Sequence, residues 1–301
     1  MNNAFFKLHL SVVLAGFTGV IGKLITLNEG LLVWYRLLLT SFILFAILRL
    51  GGRLRKSSLR DVLSAGGAGL LLALHWVCFY GSIKASNVSI GVVCFSTVGF
   101  FTALLEPLFY KRRVSIRELA FSLITIAGVG LIFHFDARYR LGIAVGVLGA
   151  ALAALFTVCN KRVSAGRDTL NTLLYEMLGG AVGSSLLLPF YLALTGHSLV
   201  LPPPADILLL LLLSLFCTVF LYVLQIQVLR SISAFTVNLT YNLEPVYSII
   251  IAMLFLGEAQ ELNASFYGGL GLIVLSVALQ TWTSLRAASV PVSPVKEGKR
   301  A

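Results

Sequence analysis

The sequence predicts an all-α integral membrane protein: ten transmembrane helices forming two inverted five-helix repeats, with both termini cytoplasmic. Three observations predict it. Of the 301 residues, 58% are hydrophobic and only 12% are charged, and mean hydropathy is +0.95, too apolar for a water-soluble domain. That apolar content falls into ten stretches, each close to the ~20 residues that cross a ~30 Å hydrocarbon core. Finally, the positive charge collects in every second gap between the stretches.

The first span, 7–26, has a short basic flank at Lys7, and no small-residue cleavage site stands out after it. It reads as a retained helix, not a signal peptide. Asn28-Glu29-Gly30 turns the chain into the second span, 31–50, which stops at Gly51-Gly52. Spans three to five cover 62–83, 88–110 and 116–135; spans six to ten cover 141–161, 169–195, 206–229, 234–256 and 264–285. Gly196 and Pro202-Pro203-Pro204 break the chain between the seventh and eighth. Residues 1–138 form the first repeat and 139–286 the second, inverted one. The Pro-, Ser- and Lys-rich stretch 287–301 is expected to be a disordered basic cytoplasmic tail.

Orientation follows from the cations. The N-terminus, the even gaps and the C-terminus carry Lys7; Arg49, Arg53, Arg55, Lys56 and Arg60; Lys111, Arg112, Arg113 and Arg117; Lys161, Arg162 and Arg167; Arg230; and Arg286, Lys296, Lys299 and Arg300. The odd gaps hold only Lys23, Lys84, Arg138 and Arg140. Eighteen against four puts both termini inside. The net charge of +11 therefore flanks spans, and no nucleic-acid partner is expected. The cysteines Cys78, Cys94, Cys159 and Cys217 lie singly in apolar runs, and His9, His75, His134 and His197 are scattered, so no metal site is expected.

The halves can be compared directly. Phe17 to Lys23 and Phe156 to Lys161 end the first and sixth spans alike. Tyr35-Arg36 falls opposite Tyr175-Glu176, and Ala85-Ser86-Asn87-Val88-Ser89 resembles Ser231-Ile232-Ser233-Ala234-Phe235. Leu105-Glu106-Pro107 and Leu243-Glu244-Pro245 look alike but differ in depth by about 13 Å at ~1.5 Å per residue, so we do not align them. Aligning the loops sets Gly99 opposite Pro245. The ten spans, the repeat, Asn242-Leu243-Glu244-Pro245-Val246 and Phe255-Leu256-Gly257-Glu258 together resemble the EamA-type transporters of the drug/metabolite superfamily. The first half departs from that pattern, with Lys111-Arg112-Arg113 in place of Leu-Gly-Glu and Gly99 in place of a proline.

Polar groups inside spans face the bundle interior or a water-filled cavity. In the ninth span Asn238, Tyr241, Asn242, Pro245 and Ser248 share one stripe, with Glu244 at its edge. Pro245 frees a carbonyl one turn earlier, as expected of a helix kink. This stripe either walls a substrate cavity or bonds neighbouring helices. Glu244 is either a proton-exchanging group or a structural carboxyl. In the third span His75, Cys78, Phe79 and Ser82 share a face bordered by Trp76 and Tyr80, suiting either an amphipathic solute or packing. In the fourth span Ser89, Ser96, Thr97 and a second kink candidate, Gly99, either line the cavity or provide close helix contact. Arg36 and Glu176, toward opposite membrane faces, are gate residues or interfacial anchors. Gly66-Gly67-Ala68-Gly69, Gly142 with Gly146, and Gly268-Gly269 with Gly271 suit close helix packing, not phosphate binding.

An inverted repeat with little soluble mass is a secondary transporter's plan. With the resemblance, it implies a carrier of a small organic metabolite, an amino acid or similar amphipathic solute. The carrier would work by alternating access across the bacterial inner membrane, as an exporter, either proton-coupled or facilitative. Multidrug efflux by the same fold is the alternative. An intramembrane enzyme would need a partner for His75, and none is evident in the sequence. No catalytic residue and no cofactor is expected. The expected partners are a small-molecule substrate, the lipid bilayer and protons, with the protein a monomer or weak dimer.

Overall fold

The computed structural model describes residues 2–111, 113–135, 139–229, 240–241, 243–260 and 262–288, and every regular element among them is helical. In order these are α1 (Asn2–Leu24), α2 (Glu29–Leu50), α3 (Leu59–Ala85), α4 (Val88–Phe95), α5 (Val98–Tyr110) and α6 (Ile116–Phe135). They are followed by α7 (Arg140–Val163), α8 (Thr169–Thr195), α9 (Pro204–Ser214), α10 (Leu221–Leu229), α11 (Glu244–Leu256) and α12 (Ala264–Ala288). A π-helical segment, Leu215–Phe220, joins α9 to α10, and a 3₁₀ turn, Glu258–Gln260, follows α11. Among the described residues, seven stretches are long and apolar enough to cross a membrane: Ala4–Leu24, Glu29–Leu50, Leu59–Ala85, Val88–Tyr110, Arg140–Val163, Thr169–Thr195 and Pro204–Gln225. Leu119–Ile132, Glu244–Leu256 and Ala264–Leu279 are shorter apolar helices.

Short polar side chains set where these helices begin. Asn28, Ser58, Asn87, Asp168 and Asn263 accept bonds from the backbone N–H groups of Leu31, Asp61, Ile90, Asn171 and Phe266, satisfying donors that a first turn leaves open. Pro203-Pro204 opens α9 at a point where a missing N–H costs nothing. Gly257, at φ +68°, ends α11 in the left-handed conformation and aims the next residue sideways.

α3 is the central helix, packed between α7 and α8. Its Gly69 lies so close to the Glu176 carbonyl of α8 that a Cβ there would coincide with the oxygen. Gly66 and Gly179 meet the same way, and on the other side of α3, Gly146 of α7 abuts Ser82. α6 pairs with α12 through Gly128 and Gly269, beside a Thr125–Ser276 hydroxyl bond of 2.9 Å. Small residues at these crossings let backbones approach, the means by which helices associate in lipid. Leu50, Leu108, Leu186, Leu194, Leu254 and Phe42 point outward, while Arg36, His75, Glu176 and several Ser and Thr are buried. This is the distribution expected of a bundle in hydrocarbon.

Spans four and nine are interrupted. The fourth breaks at Ser96–Thr97: the Ser96 N–H is shared between the Val92 and Val93 carbonyls, the Thr97 N–H switches to the tighter turn at Cys94, and the hydroxyls bond back to the Val92 and Cys94 carbonyls. Gly99, the sequence-predicted kink, instead lies inside α5. Pro245 also differs from the expected mid-helix kink: it stands in the first turn of α11, just after a turn at Leu243. Asn238 and Asn242 lie outside the described residues, as does the stretch from 289 onward.

Candidate functional site

The two loop faces of the bundle are built differently. On one face, helix ends are joined by a polar clasp. The Asp206 carboxylate, in the first turn of α9, accepts from the Thr26 backbone N–H (3.0 Å), the Thr26 hydroxyl (2.8 Å) and the Leu27 N–H (3.2 Å). Glu258, positioned by Gly257, accepts from the Val88 and Ser89 N–H groups at 2.7 and 2.8 Å, placing a carboxylate at the positive end of α4. Lys23, in the last turn of α1, donates to the Ile83 and Ser86 carbonyls at the end of α3. Lys84 of α3 donates to the Ile25 and Leu27 carbonyls beyond α1 (2.8 and 2.5 Å). Tyr191 donates to Glu29 at 2.5 Å. A recess of about 410 Å³, bordered by Asn28, Lys84, His197 and Pro203, remains on this face.

The opposite face is basic and more open. A cavity of about 820 Å³ lies among Arg60, Ser64, Tyr110, Lys111, Cys159 and Arg162, and another of about 690 Å³ among Leu48, Arg53, Arg55, Asp168 and Gln227. Arg167 borders both, and pairs with Asp61. Lys161 pairs with Glu106 at 2.5 Å, so the Leu-Glu-Pro at 105–107 ends in a surface ion pair, unlike Glu244 at the start of α11.

Between the faces lies a buried guanidinium. Arg36 is 2% exposed. Nη1 donates to the Tyr80 hydroxyl (2.7 Å), Nη2 to Thr218 Oγ1 (2.9 Å), and its Cζ sits 3.7 Å from the Trp76 ring centroid. A snorkelling anchor keeps its head in water or among headgroups, whereas the Arg36 head is enclosed by protein. Glu176 is also 2% exposed. The neighbours Trp34–Ser185 and Leu37–Gly180 set the antiparallel register of α2 and α8. They place Glu176 about six residues, or ~9 Å, further along α2 than Arg36.

His75 is buried. Its Nδ1 lies 2.9 Å from the Gly149 carbonyl, which can only accept, so Nδ1 carries the proton. Its ring packs against Phe79 and Phe95. Trp76, Tyr80, Thr97 and Ser248 are buried, Ser248 against Gly16; Ser96, Phe79, Tyr241 and Glu244 are partly covered. None of these residues lines the three cavities above. The structure brings Arg36, Trp76 and Tyr80 together and leaves Tyr241 apart, beside Leu8 and Val228. Sequence reasoning missed Asp206 and Thr218. It noted Lys23 and Lys84 only as exceptions in the charge count, and Glu258 only as part of a string.

A helical membrane bundle with one clasped and one open face belongs to the class of multi-pass membrane proteins. The profile of the EamA-like transporter family matches residues 4–134 and again 140–282, and the chain belongs to that family. Among relatives, "Uncharacterized transporter YxxF" of Bacillus subtilis (strain 168) is 25% identical over 283 residues, 91% of this chain and 87% of that one. "Uncharacterized transporter YdfC" of the same organism is 27% identical over 273 residues, covering 87% and 85%. An "Uncharacterized transporter" of Archaeoglobus fulgidus is 26% identical over 248 residues, covering 79% and 83%. One crystal structure shares the fold at a TM-score of 0.64 and 17% identity, spanning 96% of this chain and 100% of that one.

Proposed function

We propose that this protein is a secondary transporter that carries a small organic metabolite, an amino acid or similar amphipathic solute, by alternating access. In this reading the three shorter apolar helices complete ten spans. Residues 1–138 and 139–286 form inverted repeats, and the basic face is cytoplasmic in a bacterial inner membrane. The twofold match of the family profile supports the repeat, as do the breaks in spans four and nine, each just ahead of the aligned Gly99 and Pro245. Export is the favoured direction, and Glu244 is the proposed proton-coupling group.

The observation that carries the reading is the inequality of the faces. The clasp joins loops of the second half (Asp206, Glu258) to loops of the first (Thr26, Leu27, Val88, Ser89), while the basic face holds the two large cavities. Hydrogen bonds suit a seal that must open, because water replaces them at a net cost of only about 1.5–3 kcal/mol each even where one partner is charged. This conformer is the one open to the cytoplasm.

Two-sided labelling with a membrane-impermeant maleimide tests this. Cys159, in the larger cavity, should react from the basic face, and Leu27→Cys, in a background with the native cysteines replaced, more slowly from the other. Asp206→Asn should accelerate Leu27→Cys by about tenfold and slow Cys159. Rates unchanged at both reporters would overturn alternating access. In proteoliposomes, Glu244→Gln should abolish stimulation of flux by a pH gradient; undiminished, pH-independent flux would remove Glu244 from the coupling.

A further inference from the structure

We infer that Arg36 is the recognition group for a carboxylate, so that the transported solute is anionic at one end; this rests on the transporter reading above. A guanidinium offers five N–H donors. Here Nη1 and Nη2 are met by the neutral hydroxyls of Tyr80 and Thr218, while Nε is buried with no hydrogen-bond partner. The ion pairs among the described residues are Lys161–Glu106 and Arg167–Asp61, and no described carboxylate is paired with Arg36. One turn further along α2, on the same face, the Thr40 hydroxyl is also buried without a partner. A buried cation with a spare donor is costly in a membrane bundle unless something completes it.

The geometry matches a carboxylate. Nε and Nη2 form an edge of the planar group that a carboxylate grips with two parallel bonds. Thr218 occupies Nη2 at present, and it stands on the π-helical segment, where the regular ladder is already interrupted. Its hydroxyl keeps a second partner in the Leu213 carbonyl (3.2 Å), so yielding Nη2 to a ligand leaves it bonded. Trp76 and Tyr80 wall the guanidinium, and Phe79 packs on Tyr80, so the body attached to the carboxylate is apolar. Arg36 lies seven residues past the clasp-face end of α2, about 10 Å inward, on the inner side of the seal.

Trp76, against the guanidinium, supplies the readout. With Trp34 and Trp282 changed to Phe, its fluorescence is titrated with 4-methylpentanoate and with the isosteric neutral 4-methylpentanamide. The acid should saturate the signal at a concentration about tenfold or more below the amide, and Arg36→Gln should erase that preference. Because Arg36→Gln removes donors from two buried hydroxyls and risks unfolding the protein, Thr218→Val decides independently: freeing Nη2 beside the unpartnered Nε, it should strengthen acid binding several-fold. Equal responses to acid and amide, or no gain in Thr218→Val, would overturn the assignment. The labelling experiment separates the two readings. If the Leu27→Cys and Cys159 rates shift with Asp206→Asn but the acid shows no preference, only the carboxylate site fails. If the rates are static, the transporter reading fails as well.

Discussion

Asp168 shows how a single side chain can do two jobs at the basic face. Its side chain caps α8 by accepting from the Asn171 N–H at 2.9 Å, and it also accepts from the Asn171 amide at 2.7 Å. Burial pushes this carboxyl up, but the two bonds from Asn171 and the charges of Arg55 and Arg53 outweigh it and hold it below its ordinary value. A depressed carboxyl stabilises the fold above its unfolded value, and that contribution disappears as pH falls through the folded one. Asp168→Asn keeps a capping oxygen and removes the titration. Thermal melting from pH 7 down to about 3 should therefore bring wild type and variant closer together below about pH 4; a gap constant with pH would contradict the coupling. Little of this residue-scale detail was legible in the sequence. Lys23 and Lys84 stood out as cations on the wrong side of a charge count, but a count of charges carries no partner. Their partners are backbone carbonyls about 60 residues away, which leave no mark in composition.

At the scale of elements, helix limits were the most legible feature, because apolar runs end where Asn, Ser, Asp, Pro or Gly supplies a cap. The interruption of span four was not. Ser96 and Thr97 read as cavity or contact residues, whereas their hydroxyls compete for backbone carbonyls and break the helix there. Of the glycines read as packing residues, Gly69, Gly142, Gly146 and Gly269 are in close helix contact while Gly67 and Gly271 face open space, and α3 allows a sharp check. A Cβ at Gly69 would meet the Glu176 carbonyl, which is backbone and cannot turn aside, while a Cβ at Gly67 meets nothing within 4 Å. Gly69→Ala should destabilise the α3–α8 pair by about 1–3 kcal/mol or more through overpacking. Gly67→Ala should be neutral or stabilising by up to about 1 kcal/mol through helix propensity. Melting temperatures in detergent test the contrast, and equal values would mean that the helices are not in backbone contact at Gly69.

For the whole molecule, the question is whether the clasp is one gate or two. Asp206 and Glu258 both belong to the second half and both hold first-half backbone, one at the α1–α2 link and the other at the start of α4. If the halves part as rigid bodies, both sets of bonds break in the same step. Each amide substitution, Asp206→Asn and Glu258→Gln, keeps one acceptor oxygen and loses the charge, so each should favour opening by about 1–2 kcal/mol, or roughly 5–30-fold. The reporters are Leu27→Cys, beside the first carboxylate, and Leu262→Cys, in the loop that follows the second. With a single gate, either substitution accelerates maleimide labelling at both reporters, and the double variant shows the product of the two effects at each. With separate openings, each substitution acts only on its nearer reporter, and the double variant gains nothing beyond the larger single effect at either site. The cross-effect of Glu258→Gln on Leu27→Cys is the deciding rate, because no bond of Glu258 touches that loop. Its acceleration requires the halves to move together.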